Sequence, residues 1–166
     1  MKGLIISADG AEDRELFYPY YRLKEEGIEV EVASFSRATI TGKRNLEMEV
    51  DLTLKEVKVE DYDVLILPGG KAPGKLRQDK DVLRITQEFF RQGKPIASIC
   101  HGPQIPLSAG LLKGKKATCA PSVKEELVQA GVDYQDEEVV VDGNIITSRL
   151  PKDLPAFSRE LMKKLK

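Results

Sequence analysis

Residues 95–104 read Pro-Ile-Ala-Ser-Ile-Cys-His-Gly-Pro-Gln. They set a thiol, Cys100, where an apolar run gives way to a turn of small residues. Pro95 to Ile99 reads as a short buried strand, bounded by Gly93-Lys94 and by Gly102-Pro103. A helix is expected from about Pro103 to Ala109, ending at Gly110. A cysteine on such a strand-to-helix elbow has its side chain pushed out of the sheet. The following helix aims N–H groups and the positive end of its dipole at the sulfur, which favours a thiolate. Such an elbow is expected to hold Cys100 in a sparsely allowed backbone conformation. Free cysteines are usually small buried hydrophobes, and Cys119 suits that description. Cys100 suits it less well, because His101-Gly102-Pro103 follows where a core strand would add another apolar residue.

His101 is the only histidine, so a Cys–His–Asp triad with a distant histidine is impossible. Adjacent residues on a turn do not naturally face one another. Either a third group orients His101, or a carboxylate carries the proton. Glu12 and Asp13 stand where a helix should begin, and acids there are favoured by the macrodipole alone. The chemical alternative is that one of them folds over the strand ends and meets Cys100. A carboxyl beside a thiolate would be partly protonated and could move protons. Gly69-Gly70 after an apolar run is either a tight turn needing positive φ or a source of bare N–H groups. With the His101 N–H, one of these would make a two-donor oxyanion hole. One histidine and two distant cysteines give no metal-ligand spacing. No phosphate-binding glycine fingerprint follows the first strand, so neither metal nor cofactor is expected.

The elements that must position these groups alternate between strand and helix patterns. Gly3–Ser7, Ile28–Phe35 and Asp63–Leu67 read as strands. Glu12–Glu26 carries Leu16, Phe17, Tyr20 and Leu23 at helical spacing and ends at Gly27, with Pro19 expected to kink or loosen a turn. Residues 38–53 read as a β-hairpin excursion. Val82–Arg91 and Ser122–Ala130 read as helices, and Ala117–Cys119 as a short strand. Asp142-Gly143-Asn144 marks a hairpin between Val139–Val141 and Ile145–Ser148. Leu154, Phe157, Leu161 and Leu165 form a closing amphipathic helix. This alternation argues an α/β three-layer domain on a mainly parallel sheet. Ligands in such sheets bind outside the carboxyl ends of the strands, where Asp9–Asp13, Gly69-Gly70, Cys100-His101 and Cys119-Ala120 all fall.

At 166 residues, 41% of them apolar, the chain is expected to form one domain with a sizeable core. Its net charge of −1 gives no footprint for nucleic acid or an anionic membrane, and no apolar run could span a bilayer. Two cysteines are no disulfide framework, and no signal peptide is apparent. These features point to a cytoplasmic protein with free thiols, with a small molecule or peptide as its partner and neither nucleic acid nor membrane.

The chain resembles the PfpI family of intracellular cysteine peptidases, within the ThiJ/PfpI superfamily that also holds deglycases and glyoxalase III-type enzymes. The resemblance is carried by Ala-Glu-Asp-Arg-Glu-Leu at 11–16, Tyr-Arg-Leu-Lys-Glu-Glu-Gly at 21–27, Leu-Pro-Gly-Gly at 67–70, Ala-Ser-Ile-Cys-His-Gly-Pro-Gln at 97–104 and Val-Val-Val-Asp-Gly-Asn at 139–144. It implies a single flavodoxin-like three-layer sandwich over residues 1–166, similar to class I glutamine amidotransferases. It implies Cys100 as nucleophile with His101, Glu12 hydrogen-bonded to the sulfur, and Gly70 with His101 as oxyanion donors. It also implies a homo-oligomer, dimers assembled into trimeric rings with the site near an interface. Two departures stand out. PfpI peptidases place a glutamate, which orients a neighbouring subunit's histidine, where this chain has Gly74. Relatives often carry an aromatic residue where it has Ala120. The expectation is therefore a cysteine hydrolase acting on small carbonyl compounds or adducts such as hemithioacetals. The alternatives are an intracellular peptidase, or a redox-sensing or chaperone-like stress protein whose Cys100 oxidises to sulfinate.

Overall fold

The computed structural model describes residues 1–166. In chain order the elements are β1 (Lys2–Ile6), α1 (Asp13–Glu25), β2 (Glu29–Ser34), β3 (Ile40–Thr41), β4 (Glu47–Met48), β5 (Leu52–Thr53), β6 (Val64–Leu67), α2 (Ala72–Leu76), α3 (Lys80–Arg91), β7 (Ile96–Ile99), α4 (Gln104–Ser108), β8 (Lys116–Ala117), α5 (Lys124–Gln129), β9 (Asp133–Tyr134), β10 (Val140–Asp142), β11 (Ile145–Ser148) and α6 (Leu154–Leu165). The main sheet runs β10-β11-β7-β6-β1-β2-β5. All its pairings are parallel except β10 with β11, which the turn at Asp142–Ile145 folds back as a hairpin.

The central parallel strands, taken in chain order, have the doubly wound arrangement of flavodoxin-like sheets. The chain moves outward from β1 to β2, then returns to add β6, β7 and β11 on the other side of β1. Because crossovers are right-handed, this reversal puts helices on both faces. On one side α1 packs against α6; on the other α3 packs against β6, β7 and α4. The strands Val64–Leu67 and Ile96–Ile99 are buried throughout, as continuous apolar runs covered on both faces must be. The reversal opens a crevice at the carboxyl ends of β1 and β6, where ligands of such sheets bind.

The short elements depart from expectation. The excursion after β2 does hold an antiparallel pair, β3 with β4, but the chain then returns to the main sheet as β5, parallel to β2. A short helix, α2, follows Gly70 where none was expected; Pro73 sits in its first turn, where a missing N–H costs nothing. Strand β8 pairs with β9 in a small sheet of its own. Helix α1 continues past Pro19, which is buried. No helix is long and apolar enough to cross a membrane.

Candidate active site

The elbow at the end of β7 is as expected. Cys100 has φ of 65°, and Asn45 is the only other non-glycine residue with positive φ. A non-glycine residue held there costs on the order of 1–3 kcal/mol and needs surroundings that enforce it. They are present. The Cys100 N–H donates to Ser148 O at 3.0 Å, the Ala120 N–H donates to Cys100 O at 2.9 Å, and the Gly102 N–H donates to Ile99 O at 2.8 Å. The fit of the next loop is equally tight. A methyl on Gly69 would come within 2.8 Å of Cys100 Cβ and 2.6 Å of Glu15 Oε1. Gly70, at φ of 82°, lies so close to Glu12 N and Gly10 O that no side chain fits.

The loops after β1, β6 and the β3–β4 hairpin are stitched together around this point. The Glu12 N–H donates to Gly69 O at 3.2 Å, the Lys71 N–H to Gly10 O at 2.8 Å, and the Lys43 N–H to Ala11 O at 2.9 Å. The backbone N–H groups of Gly70 and His101 both favour the charged form of the Cys100 sulfur. The loop after β6 and the elbow itself thus bring these two N–H groups together at the sulfur.

The carboxylate is a different one from that expected. Glu12 does not meet the sulfur. It is the N-cap of α1, and its Oε2 accepts from the N–H groups of Arg14 at 2.8 Å and Glu15 at 3.3 Å. Its Oε1 accepts from Arg14 Nη2 at 2.8 Å and Arg44 Nε at 3.0 Å. Burial opposes ionisation, but these bonds prevail and hold the carboxyl down at about 2. The cap position decides this: the side chain folds back onto its own helix N–H groups, and its remaining oxygen is taken by the two arginines.

Glu15 is the carboxylate at the sulfur. Its Oε1 accepts from the Gly69 N–H at 3.0 Å. Its Oε2 is buried with no hydrogen-bond partner, and the carboxyl interacts with Cys100. Burial, then the charge of Glu12, pushes Glu15 up to about 8, against the Gly69 N–H, the Lys43 charge and the Cys100 interaction. The signal was present in the sequence. Glu15, Pro19 and Leu23 stand four apart, on the inward line of α1, and all three are buried.

The electrostatics also correct the expected thiolate. Burial, then the charge of Glu15, pushes the Cys100 thiol up to about 12, against the two N–H groups and Lys43. Helix α4 spans only Gln104–Ser108 and starts too late in the chain to dominate. Burial likewise pushes Cys119 up to about 12. What separates the two thiols is access: Cys100 is half-buried and Cys119 is buried.

His101 does face its neighbour. Its Nδ1 lies 3.3 Å from Cys100 Sγ, and its Nε2 lies 3.1 Å from Ser122 Oγ. Burial and Lys43 both lower its basicity, so the ring is neutral at neutral pH. Ser122, unanticipated, supplies the orienting contact. Asp13 accepts from the Arg44 N–H at 2.6 Å, and Asp79 caps α3. A cleft of about 390 Å³ opens over the sulfur, lined by Lys43, Gly70, Lys71, Gly74, Cys100, His101 and Gln104.

A strained cysteine elbow at the switch point of a flavodoxin-like sheet, with a buried glutamate and two N–H donors at its sulfur, defines a class of cysteine-centred α/β proteins. The chain belongs to the DJ-1/PfpI family, whose model matches residues 1–164. It is 54% identical to the deglycase PYRAB04690 of Pyrococcus abyssi and 51% identical to the deglycase PfpI of Pyrococcus furiosus, each over all of both chains. It is 38% identical to YraA of Bacillus subtilis, whose name presents it as a candidate cysteine protease, over 98% of this chain and 96% of that one. Among solved structures, DJ-1 of Schizosaccharomyces pombe superposes with a TM-score of 0.93 at 27% identity, covering 100% of this chain and 92% of that one. A two-domain protein from Anabaena variabilis, with DJ-1/ThiJ/PfpI-like and ferritin-like domains, superposes with a TM-score of 0.96 at 39% identity; the match covers 99% of this chain and 48% of that protein.

Proposed function

We propose that this chain is a cysteine-dependent enzyme acting on small carbonyl compounds or their adducts. Cys100 is the nucleophile, Glu15 moves the proton, and the N–H groups of Gly70 and His101 hold the oxyanion. The observation that carries this reading is Glu15 Oε2, a buried carboxyl oxygen without a hydrogen-bond partner, on a group that interacts with the sulfur and whose ionisation is delayed to about 8. Sulfur and carboxyl repel each other's charge, so the pair gives up its first proton only at about 8 and then shares the one that remains. In the reacting form the proton is on Glu15 and the sulfur is the thiolate. The thiolate adds to an aldehyde carbon and a C–S bond forms. The carbonyl π pair moves to oxygen, is met by the two N–H groups, and takes the proton from Glu15. Glu15, now a carboxylate, is the base for the next proton. The names of the Pyrococcus relatives support the same reading.

The test is consumption of methylglyoxal and of its thiol adduct by wild type, Cys100→Ser and Glu15→Gln. Wild type should turn over at least one of the two compounds, and Cys100→Ser neither. Absence of turnover by folded wild-type protein would overturn the reading.

Peptide hydrolysis is the second reading, favoured by the His101 ring between Cys100 Sγ and Ser122 Oγ. A hydroxyl orients an imidazole less strongly than a carboxylate does. A Cβ on Gly74 would meet nothing within 4 Å, so Gly74→Glu fits without strain. It should raise cleavage of a fluorogenic peptide from a weak or absent level, provided subunits assemble with residue 74 facing a neighbour's histidine. Assembly as a homo-oligomer is part of the proposal, and light scattering on the eluting protein measures it.

A further inference from the structure

We propose that the substrates of this site are anionic: small carbonyl compounds bearing a carboxylate or phosphate near the reacting carbon, recognised by Lys43 and Lys71. The inference rests on the carbonyl reading for the reacting group and adds the charge of what that group is attached to.

Both lysines line the cleft over Cys100. Their main chains are fixed to consecutive residues of the β1–α1 loop, Lys43 N–H to Ala11 O at 2.9 Å and Lys71 N–H to Gly10 O at 2.8 Å. The two ammonium groups therefore hang from one anchored frame. Neither has a carboxylate partner, because the acids nearby are engaged elsewhere. Glu12 is held by Arg14 and Arg44. Glu126 is held by Arg77 and accepts from Gln104. Asp13 Oδ2 accepts from the Arg44 N–H, and Asp9 Oδ1 accepts from the Thr41 N–H at 2.9 Å. Glu15 carries the proton in the reacting form. The cleft thus presents two ammonium groups to solvent with only the Cys100 thiolate of the reacting form set against them, although the chain as a whole has a net charge of −1. A concave site lined by one sign of charge concentrates ligands of the opposite sign, by roughly 10-fold or more at low salt. Two bare cations do little to bind a neutral dicarbonyl.

The test compares reagents that differ in charge and little in size. Iodoacetate and iodoacetamide both alkylate Cys100, and the ratio of their rates cancels any change in the thiol itself. Iodoacetate should be favoured in wild type at low salt, and the preference should fall by about 3- to 10-fold in Lys43→Gln and Lys71→Gln and on adding ~0.5 M salt. The same substitutions should lower kcat/KM for glyoxylate and for glyceraldehyde 3-phosphate relative to methylglyoxal. The carboxylate arm and the phosphate arm tell which anion is preferred. Alkylation ratios indifferent to charge, lysine and salt would overturn the inference. Failure to turn over any carbonyl compound, with the alkylation preference intact, would overturn the carbonyl reading and leave an anion-selective thiol site. Turnover of all three compounds without regard to charge would sink only the proposal made here.

Discussion

Glu12 and Glu15 stand three residues apart at the start of one helix, both almost inaccessible to solvent, yet their surroundings drive them in opposite directions. Glu12 ionises at about 2 and Glu15 at about 8. Burial opposes ionisation in both. The difference is made by partners: Glu12 has two guanidinium groups and two helix N–H groups, whereas Glu15 has one N–H, a sulfur and the like charge of Glu12. A carboxylate given that many donors is fixed in place and keeps its charge. One denied them keeps its proton and can give it away. The helix start thus divides structural and chemical work between two identical side chains.

The largest expected effect separates these roles by rate. Glu15→Gln should keep the fold and lose turnover by about 10²–10⁴-fold, the usual worth of a positioned acid–base group. Glu12→Gln should lose no more than a few-fold. Steady-state kinetics on both variants checks this, and equal losses would break the division of labour.

The next effect is on stability, and its sign differs between the two residues. Glu12 has a folded value depressed from its ordinary 4.5 to about 2. Its contribution is present above 4.5 and is lost as pH falls toward 2. Glu15 has a folded value raised from 4.5 to about 8, so the folded state is progressively penalised as pH rises through that window. Glu12→Gln should therefore destabilise at neutral pH, by roughly 1–3 kcal/mol with the lost cap and ion pairs counted. Glu15→Gln should gain on wild type from about pH 5 upward, by up to a few kcal/mol above pH 8. Thermal melts across pH would show the two curves diverging in opposite directions. A Glu15→Gln curve parallel to wild type would mean that the carboxyl is not held protonated.

The sheet and the elbow were legible in the sequence because each rests on local chemistry: apolar runs closed by Gly and Pro, and a cysteine followed by residues too small to continue a strand. The identity of the carboxylate was not so plain. Glu12 reads as the first acid of a helix, and only the depth of the Gly69 loop against α1 reveals that position 15 reaches the sulfur. The i, i+4, i+8 line through Glu15, Pro19 and Leu23 would have pointed inward had Glu15 been read together with the apolar stripe. Ser122 and Lys43 could not be found in this way. They come from an irregular turn and a hairpin tip whose placement depends on backbone bonds between loops distant in the chain. The balance of charge on Cys100 was also out of reach, since the cost of burying a thiol beside a carboxylate appears only once both are placed.

The smallest effect tests whether the two glutamates are coupled at all. The charge of Glu12 is one of the two causes that raise Glu15. Glu12→Gln removes that charge and leaves Arg14 and Arg44 uncompensated beside it. Both changes favour ionised Glu15, so its folded value should move below 8, by under about one pH unit if the interaction passes through a partly solvated region. An earlier-ionising Glu15 lets the pair lose its first proton at lower pH, and the pH profile of rate or of alkylation should shift toward acid with it. The profile of Glu12→Gln against wild type, taken at low and high salt, measures the shift and how far it is screened. An unmoved profile would mean that the charge of Glu12 is already spent on its arginines, and that the two carboxylates share a helix turn without sensing each other.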